Sequence, residues 1–374
     1  MSALVLTTLP ISSVSAIAYR IPTEERETDG TLGWSSTGMI VVKITAGDLE
    51  GLGYSYTDPL MARFVVETCK PLLVDADAWS IEAAFDQLQV QVRNLGRSGL
   101  AATALSAVDV ALWDLKARAV GLPLATLLGK VRESVPVYGS GGFTSYATRE
   151  LEEQLQAWTQ RDGCRHVKIK IDHRYARDLE RVRQARAAAG NAELMVDANG
   201  AHSVRSAIAF AHAIADEGVS WFEEPVSSDD LPGLAQVRMA MSAAGLPIDI
   251  AAGEYIWCPE DALRLLKAQA VDVLQMDATR CGGVTGWRRI AALAQTFHRD
   301  CSAHCAPALH LHLACATTGL RHIEWFADHA RIESMFFDGV PVIHRGEITV
   351  QADRPGLGLS LKHQDVERYA VWEG

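Results

Sequence analysis

Val196-Asp-Ala-Asn199, Phe222-Glu-Glu-Pro225 and Ala252-Gly-Glu-Tyr255 decide the reading of this chain. Each closes an apolar run (Ala192 to Val196, Val219 to Phe222, Ile248 to Ala252), so Asp197, Glu223 and Glu254 fall at the C-terminal ends of successive strands. The spacings of 26 and 31 residues are about one strand–helix unit. Neighbouring strands of a parallel barrel would bring the three acids together at the barrel mouth, where (β/α) barrels build their sites. Three oxygen ligands with no His or Cys among them suit a hard divalent cation, Mg2+ above all.

Outward from these segments the chain alternates strand and helix. Candidate strands are 135–140, 166–171, 193–197, 219–223, 248–252, 272–276, 300–304 and 322–326, with helical stretches at 175–189, 203–215, 231–244, 259–269 and 285–297. Such alternation predicts parallel βαβ units, and eight strands predict a barrel, although a doubly wound sheet gives the same local pattern. Upstream, 14–19 and 39–45 read as antiparallel strands, and Pro22–Gly30 between them, charged and without period, reads as a mobile loop. Helical spacing dominates from about 60 to 128, broken by Gly121-Leu-Pro123. The expected organisation is an N-terminal α+β capping domain (1–130), a barrel (131–345), and a tail (346–374) that packs back on the cap.

Bulk properties narrow the class. A formal net charge of -11 over 374 residues, with no basic stripe, argues against nucleic acid or anionic membrane as partners. Seven cysteines in no metal-like pattern fit reduced thiols, and Met1 to Tyr19 lacks the basic start of a secretory signal, so the expected location is the cytoplasm. No apolar run reaches the length of a membrane span.

Further candidates fall at the ends of the other strands. In Val167-Lys168-Ile169-Lys170-Ile171, residues two apart share a face, so both lysines point the same way. Mutual repulsion and a nearby dication would each lower a lysine pKa toward the range of a usable base. Asp277 and His304 close two further strands, 27 residues apart, so a carboxylate can fix the histidine tautomer and raise its basicity. Glu324 follows at the same height, and if protonated it would donate to developing negative charge. Together these groups suit removal of a proton α to a carboxylate, which needs cation and hydrogen-bond support for the enediolate.

As an ordered set, these residues resemble the enolase superfamily, mandelate racemase subgroup, over essentially the whole chain. The matching segments are Ala107 to Gly129, Lys168-Ile-Lys170, Asp197-Ala-Asn199, Glu223-Glu-Pro225, Gly253-Glu254, Asp277 with Cys281-Gly-Gly-Val-Thr-Gly286, His304 and Glu324. The resemblance implies an α/β protein, a modified (β/α) barrel of the TIM type with an N-terminal cap, and a homo-oligomer. It implies Mg2+ on Asp197, Glu223 and Glu254, Lys170 as one acid/base, a His304–Asp277 dyad as the other, Lys168 as a carboxylate contact and Glu324 on the carboxylate or enediolate oxygen. The expected partner is a small-molecule carboxylate, most simply a sugar acid dehydrated to a 2-keto-3-deoxy acid, with racemisation or epimerisation of a 2-hydroxy acid as the alternative and a non-catalytic metal-binding barrel as the remote one. Trp34, Tyr54 (with Tyr56), Asn199 and Arg280 are expected to face the substrate. One of His310 and His312 could reach the pocket, although a structural role suits both better.

Overall fold

The computed structural model describes residues 8–374; Met1 to Thr7, part of the N-terminal stretch read above, lie outside the described residues. Strands β1 (Ser13–Thr28), β2 (Gly33–Ala46) and β3 (Leu49–Tyr56) form an antiparallel meander, and Ala370–Glu373 pairs with the outer edge of β1. Helix Leu100–Ala119 lies along this sheet and is buried on nearly every side, as its alanine-rich composition allows. Its approach is close because β3 offers glycines: a Cβ on Gly51 or Gly53 would overlap the backbone carbonyls of Ala111 and Ala107. A bulky residue there would push the helix off the sheet.

The charged segment 22–30 is not a mobile loop. It continues β1 as a hairpin with β2, pairing Glu27 with Trp34 after an irregularity that begins at Pro22. Glu24, Glu25 and Arg26 avoid burial, whereas Glu27 is buried and accepts the Trp34 indole N–H at 2.9 Å. Thr28 and Thr144 share a hydroxyl hydrogen bond of 2.7 Å, which ties the hairpin tip to the barrel. Charge on the outward positions is compatible with a strand whose other positions are anchored.

Eight parallel strands follow: β4 (Ser134–Gly141), β5 (His166–Lys170), β6 (Glu193–Asp197), β7 (Val219–Glu223), β8 (Asp249–Ala252), β9 (Val273–Met276), β10 (Asp300–Ala303) and β11 (Leu320–Phe326). They pair in chain order, and β11 pairs with β4, so the sheet closes into a barrel. Short strand Glu347–Thr349 adds antiparallel to β4. Inside the barrel, Tyr138, Met195, Trp221, Ala251 and Val273 form a buried apolar layer beneath the mouth. No helix among the described residues is long and apolar enough to cross a membrane.

The cap is fastened to the loops of the barrel mouth by buried polar contacts. Ser106 Oγ accepts the Gly282 N–H at 2.9 Å, Asp109 accepts the Thr285 N–H at 2.9 Å, and Ser55 donates to the Thr279 carbonyl at 2.6 Å. Gly283, at φ +67, packs on Asp109 where a Cβ would clash. These bonds satisfy loop groups that would otherwise be buried without partners.

Candidate active site

Strand register sets the layout of the mouth. Lys170 pairs with Asp197, and Asp197 with Glu223, so the three stand side by side on β5, β6 and β7. Met276 pairs with Ala303, so Asp277 and His304 each lie one residue past their strands, and Glu324 follows Ile323, the partner of Ala303. Ligand atoms of Asp197, Glu223 and Glu254 all lie within 4.8 Å of one another, and all three side chains are buried. Glu223 Oε2 accepts the Trp221 indole N–H at 3.0 Å, while its Oε1 has no partner in the protein. Glu224, the second acid of Phe222-Glu-Glu-Pro225, is also buried and has one oxygen without a partner.

The cations face these acids. Lys170 donates to Asp197, and Lys168 donates to Glu223 at 2.6 Å and Glu324 at 2.8 Å. His304 Nδ1 donates to Asp277 at 2.8 Å, and its Nε2 lies 2.9 Å from Glu254 Oε2. Six carboxyl groups (Asp197, Glu223, Glu224, Glu254, Asp277, Glu324) thus crowd against four basic groups (Lys168, Lys170, Arg280, His304), and burial with this crowding raises the pKa of Glu223 and Glu224. This crowding of acids, with an orphan oxygen on Glu223, leaves a place suited to a divalent cation. The donor set fits a hard ion such as Mg2+.

The excess of acids bears on two expectations, taken on the protein's own charges alone. Burial alone would lower both lysine pKa values, but Asp197 beside Lys170, and Glu223 and Glu324 beside Lys168, hold both above the ordinary range. The protein's own charges keep the amines protonated, because carboxylates outnumber them, and mutual repulsion is the smaller effect. The condition under which Glu324 would donate is not met here: burial would raise its pKa, but Lys168 and His304 hold it below the usual range, and it acts as an acceptor. It accepts from the Ser140 hydroxyl at 2.5 Å and the Cys305 N–H at 3.0 Å.

The other shifts follow the same logic. Burial, then the charge of Asp197, pushes Glu223 up to about 8. For His304 burial again lowers the pKa, while the Cys305 sulfur, Glu254 and Asp277 raise it well above 6.5. Burial also drives the Cys305 thiol upward, so the two carboxylates carry the effect on the imidazole.

A cavity of about 460 Å³ opens above this cluster, between the barrel mouth and the cap. Lys170, Glu254, His304, Cys305 and Glu324 form its floor; Trp34, Asn199, Arg280, Tyr56, His329 and the polar side chains of Arg20, Asp29 and Asp58 complete the walls. Asn199 sits at φ +44, donates its N–H to Asp197 at 2.8 Å and leaves its Oδ1 without a partner. Arg280 donates to the Glu254 carbonyl at 3.1 Å and covers the Tyr255 ring. Tyr54 is the exception among the expected substrate contacts. It is fully buried, with its hydroxyl on Glu333 at 2.5 Å in the seam below the cavity.

Neither His310 nor His312 reaches the cavity. His310 Nδ1 donates to the Cys305 carbonyl at 2.7 Å and its Nε2 accepts the Ala278 N–H at 2.8 Å, so a neutral ring braces the two loops that carry Asp277 and His304. His312 links the Leu357 carbonyl to the Ala125 N–H. Sequence reading missed Trp221, Ser140, Cys305 and His329, whose relevance comes only from where the closed barrel puts them. Glu224 stood in the quoted Phe-Glu-Glu-Pro, and only its crowding among the other acids distinguishes it.

A closed (β/α) barrel with a ring of acids, lysines and a histidine at its capped mouth defines a class of metal-assisted acid/base enzymes. The chain belongs to the enolase superfamily: residues 150–366 match the enolase C-terminal domain-like family, and residues 30–129 match the mandelate racemase/muconate lactonizing enzyme N-terminal domain. A mandelate racemase/muconate lactonizing enzyme-like protein from Rubrobacter xylanophilus is 46% identical, with a TM-score of 0.93 over 97% of this chain and 100% of that one. A racemase from Streptomyces coelicolor A3(2) with bound magnesium is 31% identical, with a TM-score of 0.90 over 96% of this chain and 100% of that one. L-talarate/galactarate dehydratase of Salmonella typhimurium is 32% identical over 340 residues, 88% of this chain and 82% of that protein.

Proposed function

We propose that this enzyme dehydrates a sugar acid to a 2-keto-3-deoxy acid, with Asp197, Glu223 and Glu254 holding Mg2+. Bound there, Mg2+ would supply positive charge to the substrate carboxylate and to the oxygen charge that develops as the α-proton leaves. Lys170 and His304 carry the reading: both line the cavity, and they rest on opposite ends of the acid row, Lys170 on Asp197 and His304 on Glu254. A substrate seated between them has one proton-handling group on each face. Lys170, whose ammonium rests on Asp197, would serve as the base for the α-proton once Mg2+ held there took up that carboxylate's charge. His304, its Nδ1 fixed by Asp277, gives its Nε2 proton to the β-hydroxyl, which leaves as water. Lys168 and the Ser140 hydroxyl keep Glu324 ionised and fixed in place on the floor. The polar wall of Arg20, Asp29 and Asp58, with the unpartnered Asn199 Oδ1, suits hydroxyl groups rather than an apolar side chain.

The same two-sided arrangement supports a second reading, in which His304 returns a proton to the α-carbon and inverts it. Relatives with both chemistries accompany this chain: the talarate/galactarate dehydratase and the racemase with bound magnesium. Incubating the enzyme with Mg2+ and a panel of aldonic and aldaric acids in D2O separates them. Keto-acid formation is the expected outcome; α-deuterium uptake without keto acid selects epimerisation, and neither across the panel defeats both.

A further inference from the structure

Cys305 stands where the proposed chemistry has no use for a thiol. It follows His304 directly, at φ +52, and with Ala306 at φ +41 forms a tight left-handed turn before helix Pro307–Cys315. That turn folds the buried sulfur back onto the cavity floor. Cys305 Sγ lies 3.3 Å from His304 Nε2 and 3.4 Å from Glu324 Oε2, and those two atoms are 3.8 Å apart.

Two of those separations fit what a tetrahedral thiophilic ion requires, and the nitrogen–oxygen one is a few tenths of an ångström longer. Zinc bonds of about 2.0 Å to nitrogen and oxygen and about 2.3 Å to sulfur place neighbouring ligand atoms about 3.3–3.6 Å apart. We propose that His304, Cys305 and Glu324 form a second metal site, selective for a soft divalent cation such as Zn2+ and adjoining the all-carboxylate set of Asp197, Glu223 and Glu254, whose Glu254 Oε2 lies 2.9 Å from His304 Nε2. Ligand chemistry sorts the two ions: sulfur and imidazole favour zinc, and three carboxylates favour magnesium.

The supporting contacts are already in place. Asp277 accepts the Nδ1 proton of His304, the arrangement that orients a zinc-bound imidazole and leaves Nε2 for the ion. Glu324 is steadied by Lys168 and by the Cys305 N–H. On binding, the ion displaces the thiol proton and the proton on Nε2; one thiolate, one carboxylate and a neutral imidazole then balance its charge. All three ligand residues line the cavity, so an ion from solution can reach them. Loading this site takes the nitrogen through which His304 would act, a consequence that rests on the role proposed above, whereas the site itself does not.

Cobalt(II), a spectroscopic stand-in for zinc, reads the site without any turnover. Mg2+-saturated wild-type enzyme titrated with Co2+ should develop a near-ultraviolet sulfur-to-cobalt charge-transfer band that saturates at one equivalent and disappears on adding Zn2+. Cys305→Ser and Cys305→Ala should lose the band and bind Zn2+ at least about tenfold more weakly. Absence of the band in the wild type overturns the proposal with no variant needed. So does a band of undiminished intensity in Cys305→Ser, which would place the sulfur elsewhere.

Discussion

The acids at the barrel mouth and those in the seam beneath the cap are equally buried, yet their surroundings are opposite. Asp114 accepts the Leu52 N–H at 2.8 Å, the Leu357 N–H at 2.6 Å and the Arg118 guanidinium at 2.6 Å. Glu333 takes the Tyr54 hydroxyl at 2.5 Å and the Ala308 N–H at 2.9 Å. Each seam acid ties together segments far apart in the chain. At the mouth, Glu223 and Glu224 keep oxygens without partners and press against Asp197 and Glu254. Burial of a carboxylate therefore says little by itself: donors around it mark a fastening, and other acids around it mark a place prepared for a cation.

The widest gap between the two groups should be in catalysis. Lys170→Ala and His304→Asn should each cost about 100- to 10,000-fold in kcat while the protein still binds Mg2+. Turnover close to wild type in either variant would remove that residue from its role. Asp114→Ala should do the reverse, lowering unfolding free energy by about 2–4 kcal/mol in denaturant titrations, because buried N–H groups and Arg118 lose their acceptor. Its Mg2+ affinity should not change.

Magnesium gives the next effect. At about 100 times its dissociation constant, a ligand that binds only the folded state adds about 2.7 kcal/mol, seen as a rise in Tm that chelation reverses. Glu254→Gln should erase most of that rise, and a full rise in the variant would place the ion elsewhere. A further effect, read in stability alone, is a pH slope from the seam. Burial pushes Glu333 up to about 8, from 4.5. Between those values the folded state holds a proton that the unfolded chain has released, so stability falls as pH rises from about 4.5 toward 8. Glu333→Gln should flatten that slope in denaturant titrations at pH 5 and pH 8; an unchanged slope would mean that Glu333 ionises normally.

The same contrast explains what the sequence could and could not reveal. Runs such as Val219–Phe222 read correctly as strands because a parallel barrel strand is buried on both faces and flanked by helices. Chain order and spacing then brought Asp197, Glu223, Asp277 and His304 to one end. Tyr54 misled because it shares a face with Tyr56: one pleat toward the strand end reaches the cavity, and one pleat deeper lies in the seam. Segment 22–30 misled because its charges mask the anchored Glu27 and Thr28. The protonation of Lys170 and Glu324 was beyond a strand-by-strand reading, since each depends on acids and cations delivered by several strands at once.

One clasp has a consequence for how the enzyme comes to life. Ser140 on β4 holds Glu324 on β11, across the junction where the ring of strands shuts. A half-formed barrel still open there would have Lys168 and Asp197 in place, but Glu324 would swing free and Lys168 would lose one of its two close acceptors. Closure at this pairing is thus what delivers Glu324 to Lys168, so one seam of the barrel both completes the sheet and completes the cluster of charges at its mouth.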